Sequence, residues 1–110
     1  MSTQTAGEPI HVESESQFEE LIADHDVVLV DYHADWCGPC KMLEPTIEDV
    51  AAESDAAVLK VDIDELRELA DRRGIRSVPT LEFYKAGEHH DSVVGVQNKD
   101  DLLSILADLA

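Results

Sequence analysis

Apolar residues along this chain switch between a period near 3.6 and a period of two, and the switches mark its elements. Ile10-His11-Val12 reads as a short edge strand. Phe18, Leu21 and Ile22 fall at i, i+3 and i+4, which predicts a first helix over 15–24. Ser16-Gln17-Phe18-Glu19 has capping-box spacing near its start. Val27-Val28-Leu29-Val30 opens a strand that runs to His33. Its almost unbroken apolar start is the pattern of a strand covered on both faces. The helix that follows reaches Glu53 and keeps Met42, Leu43, Ile47, Val50 and Ala51 on one side. Ala57 to Asp62 reads as a second buried strand. Asp64 to Arg73 reads as a short helix, capped by Asp64 and stopped at Gly74. Leu81 and Phe83 alternate with Thr80, Glu82 and Tyr84 in a third strand. Ala86-Gly87-Glu88 is a hairpin turn leading to a partner strand over Asp91 to Val96. Asn98 caps a last helix with Leu102, Ile105, Leu106 and Leu109 on one stripe.

The resulting order is βαβαβαββα. Strands joined through helices pair in parallel by right-handed crossovers, and the closing hairpin is antiparallel. The expectation is an α/β fold with a mixed central sheet and helices on both faces. At 110 residues the chain is one domain, expected over 10–110 after a flexible N-terminal segment at 1–9. No internal repeat and no linker interrupts it.

Charge changes this picture in one respect. Asp and Glu number 25 against 8 Lys and Arg, a formal charge of −17. A nucleic-acid binder needs a basic face, so that class is excluded, and anionic membrane surfaces are disfavoured. The acids are spread through periodic, apolar-containing segments, so they form a charged surface and not a disordered tail. The only lysines are Lys41, Lys60, Lys85 and Lys99, and low lysine with high acid suggests a cytosol of very high salt. No apolar run approaches the ~20 residues that span a bilayer, and residues 1–9 lack the charged and apolar regions of a secretory signal. The expected location is the cytoplasm.

The chain's two cysteines carry the chemistry, Cys37 and Cys40. They lie where a strand hands over to a helix N-terminus. Unpaired backbone N–H groups and the positive end of the helix dipole stabilise a thiolate there, so Cys37 ionises more readily than a free cysteine. Gly38 permits the tight turn, and Pro39 fits an early helical position. The spacing lets Cys40 reach back to Cys37 and close a small ring, so that Cys37 attacks a disulfide and Cys40 resolves the mixed disulfide. Two bland readings compete. The pair could be buried structural cysteines, or half of a zinc site. Structural zinc takes four ligands, and no second CxxC exists; His89 and His90 are adjacent, a poor ligand spacing. No metal is expected.

The block Asp31-Tyr32-His33-Ala34-Asp35-Trp36-Cys37-Gly38-Pro39-Cys40-Lys41 resembles the thioredoxin family. Val61-Asp62-Ile63-Asp64, Gly74-Ile75-Arg76-Ser77-Val78-Pro79-Thr80 and Gly95 follow in the family's order and spacing. The resemblance implies the thioredoxin fold. It implies that Asp31, six residues before Cys37, is a buried acid that takes and returns the proton of Cys40, with Lys60 beside it. It implies a cis bond before Pro79, facing the sulfurs. Trp36, Gly38, Pro39, Val78, Pro79 and Gly95 would then form a shallow face for an extended target peptide. His33 departs from the family, which often places an aromatic residue there. It is expected to contact the loop around Asp64, with its pKa raised by a nearby acid.

The implied activity is protein-disulfide reduction, recharged by a separate thioredoxin reductase, with disulfide-containing target proteins as substrates and no bound cofactor. A dithiol oxidase or isomerase on the same fold is the second enzyme reading; Gly38-Pro39 between the cysteines favours the reductase. A non-catalytic binding subunit is the third, and it has no need of both cysteines together with Asp31 and Pro79. Nothing in the sequence suggests more than a monomer.

Overall fold

The computed structural model describes residues 7–110; most of the segment expected to be flexible, residues 1–6, lies outside the described residues. The elements are β1 (Ile10–His11), α1 (Glu15–Asp24), β2 (Val27–His33), α2 (Gly38–Glu53), β3 (Ala57–Asp62), α3 (Arg67–Arg72), β4 (Thr80–Lys85), β5 (Glu88–Val94) and α4 (Lys99–Leu109). Their order is the expected βαβαβαββα. The sheet runs β1-β3-β2-β4-β5, with β3 parallel to both β1 and β2, and with antiparallel β2–β4 and β4–β5 pairs.

The two-residue period of β2 divides the interior. Val28, Val30 and Tyr32 pack with Phe18 and Ile22 of α1, Leu59 and Val61 of β3 and Leu69 of α3. Leu29 turns the other way, to Leu43, Ile47 and Val50 of α2 and Leu102 and Leu106 of α4. Every side chain of this group is at least 93% buried. Full burial of such a chain is worth about 1.5–3 kcal/mol, which is why both faces of the central strand read as apolar. No helix among the described residues is long and apolar enough to cross a membrane.

Three local expectations are corrected. Helix α1 is capped by Ser14, whose hydroxyl accepts from the Gln17 N–H at 3.1 Å, and not by Ser16. Helix α3 starts at Arg67 and not at Asp64: the Asp62 carboxylate accepts from the N–H groups of Asp64 and Glu65 and holds a turn ahead of the helix. Strand β5 begins at Glu88, directly opposite Lys85, so the turn is only Ala86-Gly87. Both turn residues have positive φ, 52° and 83°, the conformation that lets a two-residue hairpin match strand twist.

Candidate active site

Cys37 is the N-cap of α2, with an extended backbone (φ −91°, ψ 106°). Its sulfur accepts the Cys40 N–H at 3.1 Å, taking the place a serine hydroxyl fills in an ordinary cap. Cys37 and Cys40 form a disulfide with their Cα atoms 5.3 Å apart. Each is 4% exposed, in a small cluster with Ala34, Ile63 and Val78. The Val78 carbonyl oxygen lies 3.6 Å from the Cys37 sulfur, and the Val78–Pro79 bond is cis. The Gly95 N–H donates to the Pro79 carbonyl at 2.9 Å with φ +94°, a left-handed conformation that suits glycine.

Exposed apolar side chains accompany exposed charged ones such as Asp35, Lys41 and Asp64 on this part of the chain. Trp36 is 69% exposed, and Met42, Val94 and Val96 are also exposed. Gly38 and Pro39 open α2 and are exposed. The Trp36 Nε1–H donates to Asp64 Oδ2 at 2.9 Å, which ties the indole to the loop ahead of α3. Asp64 is therefore the acceptor for an indole, a role its sequence position did not signal.

Beneath α2 lies a row of charges. Asp31 alternates with Leu29 and Lys60 with Val58, so both are on the sheet face that α2 covers. The two are register partners in the β2–β3 ladder. Asp31 is 1% exposed, and its Oδ1 has no partner. Burial pushes its carboxyl up to about 6, against the pull of Lys60. Lys60 makes its ion pair with Glu44 Oε2, at 3.5 Å. Glu44 was not singled out in the sequence; its position one helical turn after Cys40 is the signal that could have found it.

The expectation for His33 holds in part: its carbonyl accepts from the N–H of Ile63, next to Asp64, at 2.9 Å, but Asp64 bonds to Trp36, and the ring Nε2 of His33 is buried with no partner. Its ring stands 6.3 Å from that of His11. Burial, and then Lys60, hold its pKa below the ordinary 6.5, and the opposing pull of Asp62 is outweighed.

Among the described residues no group of three or more His, Cys, Asp or Glu is placed to hold a metal. A concavity lined by His25, Ala56, Leu103 and Ala110 is at the opposite end of β2 from the cystine.

The thioredoxin family model matches residues 9–108. A thioredoxin of Rickettsia felis is 43% identical over 93 residues, covering 82% of this chain and 89% of that protein. A thioredoxin of Chlamydia trachomatis serovar D is 40% identical over 99 residues, covering 89% and 96%. A solved structure of a variant thioredoxin from Halobacterium salinarum superposes with a TM-score of 0.92 at 44% identity, covering 98% of this chain and 96% of that one. A cystine capping the helix that follows the central strand, inside a match that takes in nearly the whole fold, has one consistent meaning: this chain belongs to the thioredoxin family and is a thiol-disulfide oxidoreductase that reduces protein disulfides.

Proposed function

We propose that Cys37 is the attacking thiolate of the reduced protein and Cys40 the resolving thiol. The carrying observation is the N-cap position of the Cys37 sulfur with the Cys40 amide pointed at it. An N–H donor and a helix N-terminus stabilise negative charge on that sulfur. The Cys37 thiolate attacks one sulfur of a target disulfide. That S–S bond breaks, the displaced target sulfur takes a proton, and a Cys37–target mixed disulfide remains. Cys40 then loses its proton to the Asp31 carboxylate and attacks the Cys37 sulfur. The Cys37–target S–S bond breaks, the second target sulfur leaves as a thiolate and takes a proton, and the protein carries the Cys37–Cys40 disulfide.

The placement of Asp31 supports this role. A buried carboxyl with a pKa of about 6 can both accept and return a proton near neutral pH. Lys60 sets that poise by opposing the effect of burial. Trp36, Gly38, Pro39, Val78, Pro79 and Gly95 form the face on which an extended target segment lies. The protein works in the cytoplasm, is returned to the dithiol by a thioredoxin reductase, and serves disulfide-containing proteins. The charge of −17 and the 44% identity to the Halobacterium salinarum structure support a cytosol of high salt.

The test is a trap. Cys40→Ser should accumulate a mixed disulfide with a protein target, and Cys37→Ser should accumulate none. If Cys40 alkylates faster than Cys37 near neutral pH, the assignment of roles is reversed.

A further inference from the structure

Among the described residues three buried side-chain polar atoms make no hydrogen bond: Asp31 Oδ1, His33 Nε2 and Arg73 Nε. The third belongs to a guanidinium that already bonds Glu82 through Nη2. The first two share a location. His33 follows Asp31 by two residues in β2, so both side chains leave the strand on the side that α2 covers. Two residues of strand span roughly 6.6 Å. Their register partners in β3 are Lys60 and Asp62, and neither supplies the missing bond. Lys60 Nζ pairs with Glu44, and Asp62 Oδ1 accepts from the N–H groups of Asp64 and Glu65. Lys60 and Glu44 act on the charge of both Asp31 and His33, and Asp62 and His11 act on His33 besides. Asp31 is fully buried, whereas His33 is half-buried, with its ring near that of the exposed His11. An unpartnered buried polar atom is costly, and a single water satisfies two on one face together.

We propose that His33 is a positioning residue for Asp31: one ordered water bonds both Asp31 Oδ1 and His33 Nε2 and holds the carboxyl in place beneath α2. This rests on the reading of Asp31 as the base that takes the Cys40 proton. Two contacts of about 2.8 Å to a water cover about 5.5 Å, close to the strand spacing of the two residues. The water donates one hydrogen to the carboxylate whichever ring nitrogen carries the imidazole proton, because it can either donate to Nε2 or accept from it. A hydrogen bond to the charged form favours that form. His33 therefore keeps a fully buried acid ionisable near neutral pH, acting with Lys60 and against burial. An apolar residue at position 33 anchors no water, and the acid loses that bond. Burial and Lys60 keep the His33 ring itself neutral near pH 7, so it serves as a neutral partner and not as a second cation. The step it supports is a proton transfer. The Cys40 S–H bond breaks, the proton passes to a carboxylate oxygen of Asp31, and the Cys40 thiolate attacks the Cys37 sulfur.

The test is the pH dependence of mixed-disulfide resolution. Single turnovers of the reduced full-length protein with a disulfide-bonded peptide are quenched in acid, and decay of the mixed disulfide is followed by mass. In the wild type the rate should rise as Asp31 ionises, around a midpoint of about 6. In His33→Phe the midpoint should move up by about one pH unit, which is what one hydrogen bond to a charged group contributes. The rate then falls roughly threefold at about pH 6.5 and is unchanged at about pH 8.5. His33→Leu should repeat the shift if the phenyl ring does not fit. His33→Gln, which can still bond the water, should stay near the wild-type midpoint. A ¹³C NMR titration of the Asp31 carboxyl in the oxidised protein should move in the same direction without any catalysis. A midpoint that stays in place in the apolar variants, or moves as far in His33→Gln, overturns the inference and leaves the base reading standing. A loss of rate at every pH with the midpoint unmoved shows packing alone and overturns it equally. An Asp31→Asn protein that keeps the wild-type profile overturns the base reading and the inference with it.

Discussion

Asp31 and Lys60 stand opposite each other in the β2–β3 ladder, yet Lys60 gives its ion pair to Glu44, and Asp31 Oδ1 has no partner. The acid is therefore governed by burial. Its carboxyl is raised from 3.8 to about 6 in the fold. The folded chain holds this proton where the unfolded chain has lost it, so the associated stability is fully present below the unfolded value of 3.8 and is lost as the pH rises through about 6. Above that range the ionised group costs up to about 3 kcal/mol. Asp31→Asn should accordingly stabilise the protein near neutral pH and have little effect at about pH 3.5, read by urea unfolding at both. It should also slow mixed-disulfide resolution more at high pH than at low, because only the ionised acid acts as a base. Equal stability and equal rates in both proteins would show that Asp31 has neither cost nor role.

His33 provides a second titration. Burial and the Lys60 charge disfavour its cation. Its NMR midpoint should lie below the ordinary histidine value of 6.5 and rise in Lys60→Gln. In Asp64→Asn it should stay unchanged, since burial, Lys60 and Asp62 govern the shift. A midpoint that responds to Asp64 and ignores Lys60 would contradict this account.

On the other face of the sheet, Glu82 is 3% exposed and accepts from the Tyr32 hydroxyl at 2.7 Å, the Tyr84 hydroxyl at 2.9 Å and Arg73 Nη2 at 3.0 Å. The Arg73 guanidinium also lies over the Tyr84 ring, 5.6 Å from its centroid. Removing the cation strands a buried carboxylate. Arg73→Met should cost about 2–4 kcal/mol in urea unfolding. Adding Glu82→Gln should recover part of that loss, because the amide keeps an acceptor for the tyrosines and no buried charge is left. If the double variant is less stable than Arg73→Met alone, the loss has some other origin.

Surface repulsion predicts a need for salt. At −17 the exposed carboxylates oppose one another and destabilise the compact state. Screening shortens their reach from about 10 Å at 0.1 M salt to about 3 Å at 1 M. The melting temperature should rise by at least about 5 °C between roughly 0.05 M and roughly 2 M KCl. Chloride is preferable to sulfate, which stabilises most proteins by exclusion from their surface. A flat melting temperature would remove the physical support for a high-salt setting.

What the sequence determined by itself was local. The run Val27 to Val30 followed by Cys37-Gly38-Pro39-Cys40 places a dithiol at a strand-to-helix junction, because periodicity, a glycine turn and a proline at a helix start act over a few residues. The order of elements was legible for the same reason. Only the tertiary structure decided which distant groups meet. Sheet order brings Glu82 to Tyr32 and Arg73, and Lys60 to Glu44; a charged residue alternating in a strand looks alike whether its partner is water or another element. Asp64 had the form of a helix cap, but the Asp62 carboxylate took that role and left Asp64 to the indole. The sign of the His33 shift depends on whether burial and Lys60 outweigh Asp62, a balance of distances and solvent access that no spacing encodes.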